Sequence, residues 1–137
     1  MREILTTIRQ NIDQSWERFL GVLDNVPEER MEEAGACGDW SVKDVMAHVA
    51  FWDDRDAFVA NKLAAGEEVE SLDWREANAQ EAALRAGWTL EESRRELHAA
   101  HERLVEAVDR HPDHDWDDDT FEHYDEHADD VRAWLGA

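Results

Sequence analysis

A chain of 137 residues is long enough to bury one core of its own, and the single Cys37 rules out an internal disulfide, so a reducing, cytoplasmic setting is expected. With 35 acidic against 14 basic residues the formal net charge is −21, which repels phosphate backbones and argues against a nucleic-acid partner. Seven Trp and 42% hydrophobic residues are nevertheless too much apolar mass for a disordered acidic tail.

The opening residues MREILTTIRQNID contain no apolar run of the length that a signal peptide or a membrane span needs, so neither is expected. From Ile4 to Leu23 the apolar residues Ile4, Ile8, Ile12, Trp16, Phe19 and Leu23 recur at three- and four-residue steps, the period of an amphipathic helix. Pro27 and the stretch Ala34-Gly35-Ala36-Cys37-Gly38 break that pattern and predict a loop. Ser41 with Asp44 three residues on reads as a capping box that opens a second helix, with Val42, Val45, Val49, Trp52, Val59 and Leu63 as its inner stripe and an end near Gly66. Asp73 followed by Glu76 caps a shorter helix from Trp74 to about Arg85, stopped at Gly87.

Thr89 with Glu92 is another capping box, and the helix it opens carries Leu90, Leu97, Leu104 and Val108 on one face before Pro112 ends it. After an acidic turn from His111 to Asp119, Asp119 with Glu122 is expected to cap a last helix striped with Tyr124, Ala128, Val131 and Leu135. No strand alternation occurs. The elements fit an all-α antiparallel four-helix bundle with one short connecting helix, a single domain over residues 1–137. Lys43 and Lys62 are the only lysines, and this acid-rich, lysine-poor balance is one that salt-adapted proteins often show.

Two imidazoles one helical turn apart, His123 and His127, share a face of the last helix, a spacing that lets both reach one metal ion. In a chain with seven His such a pair also arises by chance, as a solvated pair at a helix end. His48 adds weight, because it projects between Val45 and Trp52 inside the apolar arc of the second helix, where an unpartnered imidazole is costly to bury. Three His ligands leave one coordination position open, the catalytic rather than the structural arrangement. Asp44 is placed to orient His48, and Glu126 or Asp130 to orient the other two.

His101 is the competitor, lying between Leu97 and Leu104 on its helix, and a core histidine hydrogen-bonded to a carboxylate or the backbone is the favoured reading of it. His98, His111 and His114 read as exposed. No His has an acidic residue three positions before it, which disfavours a di-iron bundle, and Cys37 has no nearby base in sequence and reads as a loop thiol.

The segment Gly38-Asp39-Trp40-Ser41-Val42-Lys43-Asp44-Val45-Met46-Ala47-His48-Val49-Ala50-Phe51-Trp52 resembles the N-terminal signature of the DinB-like superfamily, where a Trp-Ser helix start leads to the first metal-binding His. His123-Tyr124-x-x-His127 followed by Trp134-Leu135 is similar to that superfamily's closing signature, which supplies the other two ligands. The stretch from Trp74-Arg75-Glu76-Ala77-Asn78 through Arg85-x-Gly87-Trp88 resembles the ClbS/DfsB branch. The resemblance implies a four-helix bundle with a divalent site, zinc first and nickel second, and frequently a homodimer. It does not imply one reaction: the superfamily includes thiol S-transferases and isomerases that use a low-molecular-weight thiol as cosubstrate, and the ClbS-like branch includes a protein that disarms an electrophilic genotoxin. The acidic surplus departs from a typical member.

Two function classes remain open. One is a metal-dependent enzyme, of thiol S-transferase or hydrolase type, acting on a small-molecule electrophile or toxin, with proton transfer by a carboxylate or by His101. The other is a non-catalytic module that uses the metal to bind or sequester a small molecule for self-resistance, with Trp52 and Trp88 lining an apolar pocket.

Overall fold

The computed structural model describes residues 7–137, and among these it is all-helical. Five helices follow one another: α1 (Ile8–Asp24), α2 (Val42–Ala64), α3 (Trp74–Arg85), α4 (Leu90–Arg110) and α5 (Asp119–Leu135), with a single 3-10 turn at Glu28–Arg30. The expected four-helix bundle is there, formed by α1, α2, α4 and α5, and α3 is the short connecting helix laid against α2.

The side-chain ties give the direction of each helix. Arg9 at the start of α1 pairs with Asp109 at the end of α4, and Arg94 near the start of α4 pairs with Glu28 beyond the end of α1, so these two run oppositely. Lys43 at the start of α2 reaches the Trp88 carbonyl just before α4, and Asn61 near the end of α2 meets His111 just after it, so α2 and α4 run the same way. Ser15 contacts Asp125 and Arg30 lies over Trp134, which makes α1 and α5 parallel too. The bundle is thus two parallel pairs, α1/α5 and α2/α4, packed antiparallel to one another. A parallel pair needs a crossover connection, and the segment carrying α3 supplies it.

Local signals account for most helix ends. The Ser41 hydroxyl accepts from the Asp44 amide at 3.1 Å while the Asp44 carboxylate accepts from the Ser41 amide at 3.0 Å, the expected reciprocal box. Asp73 accepts from the amides of Arg75 and Glu76, and Thr89 accepts from the Glu92 amide. Two boundaries differ from expectation. Helix α1 starts at Ile8, because Thr7 and Gln10 form a capping box of their own; Ile4 lies outside the described residues. Helix α5 begins at Asp119 without a side-chain cap from the preceding Asp118, and it is Asp117 that accepts from the Asp119 amide at 3.0 Å, so the Asp119/Glu122 box does not form.

The inner face of α2 also differs. It runs Val42, Val45, Met46 and Val49, then Ala50, Asp53, Ala57 and Ala60, while Leu63 stays 50% exposed. These small residues face α4, whose own Ala100 and Ala107 are buried, and short side chains let the two helices approach closely. Weighting the stripe by large apolar residues misses this. Trp52 is thereby left partly exposed, its indole N–H donating to Asn78 of α3 at 2.7 Å.

Candidate metal centre

His48 enters from α2 and the other two imidazoles from α5, which runs antiparallel to α2 so that His48 lies level with His123 and His127. The first signature positions His48 from one side. Glycine at position 38, with φ of 58°, permits the tight turn in which Trp40 and Cys37 exchange backbone hydrogen bonds of 2.9 and 3.2 Å, and the Trp40 ring then packs 4.7 Å from the His48 ring. The closing signature docks against the same loop: Trp134 lies under the Arg30 guanidinium at 4.2 Å and within 3.8 Å of where a side chain on Gly35 would begin. The two sequence signatures are therefore in contact through this loop.

The three ring nitrogens converge. Nε2 of His123 lies 3.0 Å from Nε2 of His48 and 3.0 Å from Nε2 of His127, and the three nitrogens lie within 4.8 Å of one another. A neutral imidazole nitrogen offers either one in-plane N–H or one in-plane lone pair, so a single His123 nitrogen cannot hydrogen-bond well to both neighbours. One cation among three lone pairs resolves that conflict. With zinc–nitrogen bonds of about 2.0–2.1 Å, neighbouring ligands of a tetrahedral ion sit about 3.3 Å apart, close to the spacing found here.

The electrostatics favour ligation as well. Burial, then the neighbouring His127, pushes His48 down to about 3, and burial with both neighbours pushes His123 down to about 2. Burial lowers His127 too, against the pull of Asp130. All three are held as neutral imidazoles, the form that binds metal.

The supporting shell is partly as expected. Asp130 stands 3.3 Å from His127 Nδ1, close but without hydrogen-bond alignment, which leaves that buried nitrogen without a partner among the described residues. Asp44 is engaged by the Ser41 cap and does not hold His48. Cys37 proves closer than its sequence position suggested, grouped with His127 and Asp130 within 4.8 Å. Burial, the hydrogen bond to Asp130 and that residue's charge push its thiol up to about 11, so it stays protonated and is a poor nucleophile.

His101 is not in the cluster. Its ring stacks on Trp16 at 3.8 Å and its Nδ1 donates to the Tyr124 hydroxyl at 2.9 Å, which in turn donates to Asp53 at 2.5 Å. It is a hydrogen-bonded core histidine whose pKa burial lowers to about 4. Sequence reasoning missed this relay. The available signal was Asp53, a carboxylate four residues beyond Val49 on an apolar stripe, together with Tyr124, the only Tyr.

A cleft of about 580 Å³ opens over the three imidazoles, within the range of small-molecule sites. Its walls are Trp52, Trp74 and Asn78 with Asp56, Asp117, Asp119, Thr120 and Glu126. Trp74 stands in it where Trp88 was expected; Trp88 lies at the junction of α3 and α4, under the Arg85 guanidinium. A family model described as the DinB superfamily matches residues 11–136, while no curated protein and no solved structure matches the chain.

Proposed function

This chain belongs to the DinB superfamily, whose members are commonly metal-binding, and from that premise we propose that His48, His123 and His127 together hold one divalent ion. The observation that carries this is the double 3.0 Å approach of His123 Nε2 to its two neighbours, which hydrogen bonding does not explain. Imidazole donors suit zinc or nickel over calcium or magnesium, and zinc is the first choice.

The function we propose is metal-dependent transformation of small electrophiles, as a thiol S-transferase or hydrolase of the ClbS/DfsB type. With three protein ligands such an ion supplies Lewis acidity that turns water or a thiol into a nucleophile near neutral pH. The chain's own residues supply the rest. Asp56 and Glu126 are carboxylates on the cleft wall that can accept a proton, a role His101 cannot serve from the core. Trp52 and Trp74 flank the apolar part of a substrate, and Trp40 shields His48 from solvent.

The same two Trp walls also suit a module that holds a small molecule without converting it. Incubating the zinc-loaded protein with 1-chloro-2,4-dinitrobenzene and an aryl epoxide, with and without a low-molecular-weight thiol, separates the two. Multiple turnovers, lost at least tenfold in His127→Ala, are the expected result. One equivalent consumed per chain favours sequestration, and no difference between metal-loaded and metal-free protein defeats both.

A further inference from the structure

The cleft lining is chemically one-sided. Asp56, Asp117, Asp119 and Glu126 face it, and among the described residues no Lys or Arg does. Asp117, Asp119 and Glu126 alone outweigh the charge of one divalent ion, so the space above the imidazoles stays negative even when a metal is bound. These carboxylates come from different places in the chain: Asp56 from α2, Asp117 from the turn before α5, and Asp119 and Glu126 from α5. They crowd one another. Asp56 is pushed up to about 7 by burial, then by Asp117 and Asp119, with only Arg55 pulling the other way. A bound cation relieves that repulsion.

The aromatic walls point in the same direction. Trp74 is 57% exposed at the cleft, a large apolar ring, and the Arg75 guanidinium already sits 4.9 Å from its centroid. Trp52, also on the cleft wall, is partly buried and fixed by its bond to Asn78. An indole face attracts both a cation and a flat apolar group.

Building on the metal-site reading, we propose that the small molecule recognised by this cleft is an organic cation with an aromatic body, its charge facing the four carboxylates and its ring against Trp74. The lining accepts amine-bearing or neutral thiols and repels carboxylate-rich ones, so the preferred cosubstrate thiol follows the same rule.

The test uses probes that cannot ligate zinc through an amine. Full-length zinc-loaded protein is titrated at physiological ionic strength with benzyltrimethylammonium, benzyl alcohol and benzenesulfonate, followed by tryptophan fluorescence and calorimetry. The expected order places the cation at least tenfold tighter than the neutral probe, with the anion weakest. The Asp56→Asn/Asp119→Asn double variant loses at least tenfold for the cation, Trp74→Ala loses severalfold, and the distant Glu91→Gln/Glu102→Gln variant is unchanged. Equal affinity for the cation and the alcohol overturns the proposal, as does a loss of the same size in the distant variant, which means diffuse surface charge alone. Zinc content is measured on every sample. Full zinc without cation preference sinks this proposal only, whereas failure to bind zinc sinks the metal reading, and the titration repeated on metal-free protein then decides the cleft's preference by itself.

Discussion

Asp56 illustrates how a residue is set by its neighbours instead of by its own chemistry. An exposed aspartate ionises near 4, but this one is half-buried beside Asp117 and Asp119 and is pushed up to about 7. The folded state binds its proton more tightly than the unfolded state does, so the group destabilises the fold at high pH, and stability is recovered as pH falls from about 7 towards the ordinary value. Replacing it by Asn removes the penalty. We expect Asp56→Asn to stabilise the protein by about 1–2 kcal/mol at pH 8, a figure discounted for partial solvent access, and by clearly less at pH 5. Thermal melts at the two pH values check this, and a stabilisation that does not shrink at the lower pH contradicts it. The three imidazoles were legible in part, because helical period places His48 and His127 within apolar stripes and His123 at the edge of one, one turn from His127. The carboxylates beside Asp56 were not, because Asp117 and Asp119 sit in an acidic run that reads as a solvated turn, and only the fold turns that run over the cleft.

Between elements, the buried contact to watch is the relay His101–Tyr124–Asp53. It joins α4, α5 and α2 in the core, with Asp53 only 2% exposed and its pKa raised by burial. Tyr124 is the residue after His123, and Asp53 lies on the helix that carries His48, so this hydrogen bond sets the register of the two ligand-bearing helices. Removing the hydroxyl in Tyr124→Phe leaves both the Asp53 carboxyl and the His101 nitrogen unpaired in the core, a cost of about 1–3 kcal/mol. Denaturant unfolding measures the loss, and zinc affinity is expected to fall with it; a variant as stable as the parent counts against the relay. Helix identity was readable here from capping chemistry, with Ser41/Asp44 and Thr89/Glu92 marking true starts. The start of α5 was not, since Asp117, Asp118 and Asp119 all have capping side chains and only backbone geometry chooses among them. The inner face of α2 was misjudged for a related reason: Ala50, Ala57 and Ala60 carry no size signal, yet close helix packing is what they permit.

At the scale of the whole molecule, the site depends on topology. His48 and His123 are separated by most of the chain, and they meet because the crossover through α3 lets α4 lie parallel to α2 and leaves α5 to return antiparallel beside it. The two signature segments, each only suggestive alone, then close on one loop, with Trp40 against His48 and Trp134 against Arg30 and Gly35. A strongly acidic surface surrounds this, which leaves the fold intact because the core is apolar and continuous from Ile12 to Val131. The most direct test of the three-histidine centre is X-ray absorption at the metal edge of protein loaded with one equivalent of zinc. The expected spectrum shows three imidazole nitrogens at about 2.0–2.1 Å, with the outer-shell scattering of their rings and one further light atom. A shell containing sulfur at about 2.3 Å, which would move the metal to Cys37, or one made of carboxylate oxygens without imidazole scattering, would contradict it.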